Sequence, residues 1–145
     1  MKNIIRLSFI VALVVAVAGI TGCQPQVTPE IPCSIEITSP GLWESLDGNG
    51  TYEITWDWTG PTNKKVNITL IGYTEDEIEL GTMPIASNVL GADESYIWGP
   101  NFGADIWASF EDWPWWFKVK IEVTGEETEA LSEVFAIQWW NPEWD

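Results

Sequence analysis

The side chains that could do chemistry in this chain are few in kind. There is no histidine among the 145 residues. A Ser-His-Asp triad and a histidine-bearing metal site are therefore excluded. There are two cysteines, Cys23 and Cys33, and the sequence offers Cys33 no base that would activate it as a nucleophile. Carboxylates are plentiful, and glycoside hydrolysis needs only two of them. Nothing singles out such a pair, because "TEDEIE" and "GEETE" have the composition of solvated hairpin tips. Asp47-Gly48-Asn49 and Glu75-Asp76-Glu77 could supply oxygen ligands to calcium, but the spacing is not that of an EF-hand loop, and "DGNG" is a tight-turn sequence. "NGT" at Asn49 and "NIT" at Asn67 are glycosylation sequons in form only. The chain is read as non-catalytic, with no cofactor and no metal. What remains is tryptophan, of which there are 11, three of them in "WPWWFKVKIEV", Trp113 to Val123. Flat indole rings can stack on sugar faces, dock another protein or fill a core, and the surrounding elements decide which.

The N-terminus has the form of an export signal. Lys2 and Arg6 precede a short apolar run, Leu7 to Ala18, which is too short for a confident membrane-spanning helix. The following "ITGC" resembles the lipobox of prokaryotic lipoproteins. That resemblance implies cleavage before Cys23, diacylglycerol on its sulfur and an extracytoplasmic location, anchored to the cell membrane or, if the host has one, the outer membrane. An uncleaved anchor helix would also put the remaining chain outside the cytoplasm. With Cys23 a lipid thioether, Cys33 has no intramolecular partner and is read as a small apolar residue opening the first strand or as a reactive thiol. With the signal unprocessed, a Cys23–Cys33 disulfide becomes available in an oxidising compartment.

Removing residues 1–22 from 145 leaves 123, enough for one domain with a sizeable core. Residues 23–33, with "QPQVTPEIP", form a stiff lipid-anchored tether. Lys2 and Arg6 lie in the signal, so four of the six basic residues remain against 22 acidic ones, a formal charge of −18. Nucleic acid is excluded as a partner, since its recognition needs basic surface. Docking on anionic headgroups is disfavoured for the same reason.

From residue 34 to 138 the pattern alternates with period two and contains no convincing amphipathic helix. Tyr52, Ile54, Trp56 and Trp58 share one strand face, as do Val66, Ile68 and Leu70, and Phe117, Val119, Ile121 and Val123. "EIELG" reads as a charged edge strand, "SYIW" as a short strand, and "ALSEVFAIQW" as the closing strand with Phe135 and Ile137 inward. The expected fold is all-β, an Ig-like antiparallel β-sandwich of about seven strands. The ordered pieces "ITSP", "ITW", "SYIW" and "SEVFAI" resemble the Ser-Thr-rich, glycosylphosphatidylinositol-anchored-type Ig-like domain, also found at the N-terminus of yeast cell-wall-synthesis proteins. The resemblance implies a cell-surface sandwich with no catalytic residues to carry over, and it places Ile35, Ile54, Trp56, Tyr96, Trp98, Phe135 and Ile137 in the core. The chain departs from that family in "NFGADIWASFEDWPWW" and in the tail, 139–145, "WWNPEWD".

Parity sorts the tryptophans. Trp115 falls in phase with Phe117, inward; Trp116 falls with Lys118, outward; Trp113 lies in the loop before Pro114. Trp107, Phe110, Trp113, Trp116, Trp140 and Trp144 are left over once the core is filled. Trp107, Trp113, Trp116 and Trp140 are the candidate ligand-binding residues, with Glu111 and Asp112 near enough to bond hydroxyls. The expected partners are the membrane through the lipid anchor, and a cell-wall polysaccharide or a surface protein. A third reading has the long loop folding over one end of the sandwich as an aromatic mini-core.

Overall fold

The structure, a computed structural model, describes residues 29–99, 102–110 and 112–138. The described residues from Ile31 onward form one compact unit. Its strands are β1 (Ser34–Ser39), β2 (Ser45–Asp47), β3 (Tyr52–Thr59), β4 (Lys65–Tyr73), β5 (Glu79–Leu90), β6 (Ser95–Trp98), β7 (Trp116–Val123), β8 (Glu129–Leu131) and β9 (Ala136–Gln138). A single 3-10 turn, Gly91–Asp93, leads into β6, and one helix, α1 (Phe102–Ser109), leads toward β7.

Two antiparallel sheets carry the fold, in the strand orders β1-β3-β6 and β5-β4-β7-β8. This is an all-β sandwich, in which the hairpins β4-β5 and β7-β8 build the larger sheet and β1, β3 and β6 the smaller one. Alternation becomes packing directly. Val119, Ile121 and Phe117 of β7 lie fully buried beside Val66, Ile68 and Leu70 of β4, and face Ile54 and Trp56 of β3. The one polar atom of Trp56 is satisfied, its Nε1–H donating to Gly91 O at 2.8 Å.

The observed architecture differs from the expected one in three respects. There are nine strands among the described residues rather than about seven, because "ALSEVFAIQ" divides into β8 and β9 and a short β2 forms after the Ser-Pro-Gly break. The pairing is not antiparallel throughout, since β2 runs parallel to β9. A helix, α1, occupies part of the aromatic loop in which none was expected. The edge strand expected at "EIELG" begins at Glu79 and continues to Leu90 as the long strand β5, which does sit at a sheet edge, where Pro84 removes no needed donor.

Trp115 departs from its expected inward place. Pro114 is buried there instead, and Trp115 stands 61 % exposed just before β7. Pro114 and Phe110 fit because Gly72 on β4 has no side chain. A Cβ on Gly72 would lie 2.6 Å from Pro114 Cγ and 2.7 Å from Phe110 Cε1. Gly72→Ala is therefore expected to lift the loop between α1 and β7 and to destabilise the domain by about 1–3 kcal/mol, the usual cost of overpacking. A chemical-denaturation midpoint equal to the parent's would contradict this.

Candidate functional site

The β2–β9 ladder organises the surface where the aromatic residues collect. It extends beyond the two strands. The Trp43 N–H donates to Val134 O at 2.8 Å, Ala136 N–H to Glu44 O at 2.8 Å and Gly48 N–H to Gln138 O at 2.8 Å. Ser45 pairs with Ala136, Leu46 with Ile137 and Asp47 with Gln138. Alternation turns Leu46 and Ile137 into the core and leaves Ser45, Asp47 and Gln138 exposed. Upstream, the Gly41 N–H donates to the Glu44 carboxylate at 2.8 Å, closing the turn that presents Trp43.

Trp43 is 61 % exposed and is held at φ 60°, a left-handed conformation that costs a non-glycine residue energy. Its ring meets that of Trp116 edge-on, centroids 5.1 Å apart and planes at 78°. Trp116 lies opposite Tyr73 across the β4–β7 pair, on the outer face of the sheet. Lys118, two residues along that face, sets its Nζ 5.9 Å from the centroid of the Tyr73 ring. These four side chains, with Glu77 from the β4–β5 turn and Val134, line a cleft of about 120 Å³. Burial raises the pKa of the Tyr73 hydroxyl, and the charge of Glu79 adds to the effect, so Tyr73 is a neutral hydrogen-bonding group at ordinary pH. The cleft thus combines an aromatic corner with one ammonium donor and one carboxylate acceptor.

Four residues further along the ladder lies a larger, open groove of about 680 Å³. Among the described residues it is lined by the exposed polar residues Ser45, Asp47, Asn49 and Gln138, by Trp113, and by the edges of the buried Leu46 and Ile137. The rim is ordered, with Asp47 Oδ1 accepting from the Asn49 N–H at 2.9 Å and from Asn49 Nδ2 at 3.3 Å. Trp113 is half-buried and meets the core ring of Phe117 edge-on, at 6.2 Å and 76°.

The candidate tryptophans therefore do not form one platform. Trp116 walls the cleft on the outer face, and Trp113 walls the groove from the core side. The placement of Trp113 corrects the expectation that it is surplus to the core, and Phe110 likewise packs against Phe117, at 6.4 Å and 82°. The backbone of Trp107 lies in α1. The side chain of Trp107, together with Cys23, Glu111, Trp140 and Trp144, lies outside the described residues. Asp112 is exposed. Sequence reasoning missed Trp43, Tyr73 and Lys118. A signal existed for Trp43, a tryptophan two residues after the Ser39-Pro40-Gly41 break, where no alternating strand gives it a core position.

Among the described residues no group of three or more Cys, Asp or Glu is placed to share a metal ion. Fold and surface together define an all-β sandwich with two separate concave features, a groove on the β2–β9 ladder and a cleft beside the start of it. Compared with protein-family models, with curated proteins and with solved structures, the chain matches none of them.

Proposed function

We propose that this chain is a cell-envelope lipoprotein, anchored through Cys23, whose single Ig-like domain is a non-catalytic glycan-binding module at the cell surface. The lipobox-like "ITGC" supports the anchor, and the ordered pieces "ITSP", "ITW", "SYIW" and "SEVFAI" support the resemblance to the Ser-Thr-rich Ig-like domains. The observation that carries the glycan reading is the Trp43–Trp116 corner flanked by Lys118 and Glu77. A sugar ring has an apolar face, which an indole covers, and an edge of hydroxyls that both donate and accept. An ammonium and a carboxylate in one small cleft answer that edge. The expected partners are an envelope polysaccharide and the membrane bearing the anchor. The charge of −16 on the whole chain argues against nucleic acid.

A second reading, an accessory subunit docking a protein through the aromatic loop, is favoured by one observation, the 61 % exposure of Trp115 in that loop. Co-sedimentation separates the two. The chain from Gln24 onward, which contains the whole compact unit, is mixed with cellulose, chitin or isolated peptidoglycan, beside Trp43→Ala and Trp116→Ala variants of unchanged circular dichroism. Sedimentation of the parent and its loss in both variants is the expected result. A parent that sediments with none of the polymers, or variants that sediment equally well, would overturn the glycan reading.

A further inference from the structure

The cleft and the groove are not independent features. The outward line of the ladder runs Trp43 and Val134, then Ser45 and Ala136, then Asp47 and Gln138, each pair side by side. The first pair lines the cleft and the last lines the groove. Because β2 and β9 are parallel, both strands pass from cleft to groove in the same direction. β2 advances roughly 7 Å from Ser45 to Asp47, and Trp43 stands in the turn before it, so cleft and groove together are longer than a single sugar ring.

We infer that the ligand is an extended polysaccharide chain without acidic groups, lying along the β2–β9 ladder with one unit in the Trp43–Trp116 cleft and the following units over the Trp113 groove. The inference rests on the glycan reading of the cleft and specifies its ligand. The groove has the amphipathic lining such a chain requires. Leu46 and Ile137 lie buried beneath it, Trp113 gives an apolar wall, and Ser45, Asp47 and Gln138 give a hydroxyl, a carboxylate and an amide along its rim. Asp47 uses Oδ1 for the Asn49 turn, and Oδ2 remains to accept from a ligand hydroxyl. Exclusion of acidic chains follows from charge. Asp47 and Glu77 flank this track on a chain of formal charge −16, whose field repels a polyanion at low salt. Two linked contacts also explain how a shallow surface binds usefully, since engagement of the cleft makes engagement of the groove intramolecular.

The test is the dependence of affinity on chain length. Titration calorimetry of the chain from Gln24 would use cello-oligosaccharides and chito-oligosaccharides from disaccharide to hexasaccharide, with oligogalacturonate as the acidic comparison. Affinity is expected to rise at least about ten-fold from disaccharide to hexasaccharide in the series that binds, and oligogalacturonate is expected to bind more weakly than either. Trp113→Ala should reduce the hexasaccharide to the affinity of the disaccharide while leaving the disaccharide unchanged. Trp113 touches the core, so Gln138→Ala, at an exposed position, serves as the second variant and should act in the same direction by a smaller factor. Equal affinity at all lengths, or groove variants that leave the hexasaccharide unaffected, would overturn the chain inference while leaving the cleft reading intact. Tighter binding of oligogalacturonate would overturn the exclusion of acidic chains. Failure of every oligosaccharide to bind would overturn the glycan reading itself and the chain inference with it.

Discussion

Phe117→Ala is expected to destabilise the domain by about 3–5 kcal/mol, whereas Trp116→Ala, one residue away, is expected to cost about 1 kcal/mol. The larger figure follows from what Phe117 touches. It is fully buried, at 0 % exposure, and its ring meets Phe110, Trp113 and Phe135, the last at 6.0 Å. Its backbone exchanges two hydrogen bonds with Phe135, at 2.9 and 3.1 Å, which hold the approach to β9 against β7. Truncation empties a space that the surrounding rings, Phe110 and Trp113 from the α1–β7 connection and Phe135 from the approach to β9, cannot collapse to fill. Against a typical domain stability of about 5–15 kcal/mol, that is about a fifth of the total or more. It corresponds to a fall in Tm of roughly 10–20 °C. Trp116 points to the other face, is only half-buried, and gives up chiefly its edge contact with Trp43. Chemical denaturation of the two variants, followed by far-ultraviolet circular dichroism, checks the pair. Similar costs for both would mean that β7 does not have the one-sided burial described here. The groove should respond too, since Trp113 leans on Phe117, so Phe117→Ala should weaken any ligand held there even below its melting temperature.

The same parity that separates Phe117 from Trp116 made most of the sandwich legible in the sequence. Within β3, β4 and β7, each residue's side of the sheet is set by its neighbours along the strand, so Ile54, Trp56, Val66, Ile68, Leu70, Val119 and Ile121 could be placed inward before any partner strand was known. What alternation does not encode is which distant segment a short strand will meet. The pairing of β2 with β9 joins Ser45–Asp47 to Ala136–Gln138, with three residues on each side and nothing local to announce it. Parity also fails where a proline takes the place of a strand residue. Pro114 fills the inward space over Gly72, and Trp115 is turned to solvent. The helix α1 was illegible because its eight residues carry no 3.6-residue repeat of apolar positions long enough to stand out. The candidate site suffered most. Trp113 and Trp116 were visible as a cluster, but their assignment to two different hollows depends on the parallel ladder, and Trp43 enters only through its hydrogen bond to Val134.

Trp43 supports the second large prediction, in which stability and binding respond differently to substitution. Its φ of 60° places a bulky residue where Cβ crowds the backbone, a cost of about 1–2 kcal/mol that glycine escapes. Its ring, largely in solvent, returns only the edge contact with Trp116, about 0.5–1.5 kcal/mol. These terms nearly cancel, so Trp43→Gly should leave the stability of the domain within about 1 kcal/mol of the parent. Trp43→Ala loses the ring and keeps the crowded Cβ, and should be less stable than the glycine variant by about 1 kcal/mol. Both variants should lose binding alike, by about 2 kcal/mol or thirty-fold, if Trp43 is the exposed anchor of the cleft. A residue kept for packing would behave otherwise, with both variants destabilised in proportion to the area removed and glycine no better than alanine. Denaturation midpoints of the three proteins, read beside the sedimentation of each with the polymer that the parent binds, distinguish the cases. Glycine at or above alanine in stability, with binding lost in both, identifies a backbone held under strain to present one ring. Alanine above glycine would instead make the turn at Trp43 an ordinary piece of the fold, and the cleft a consequence of packing.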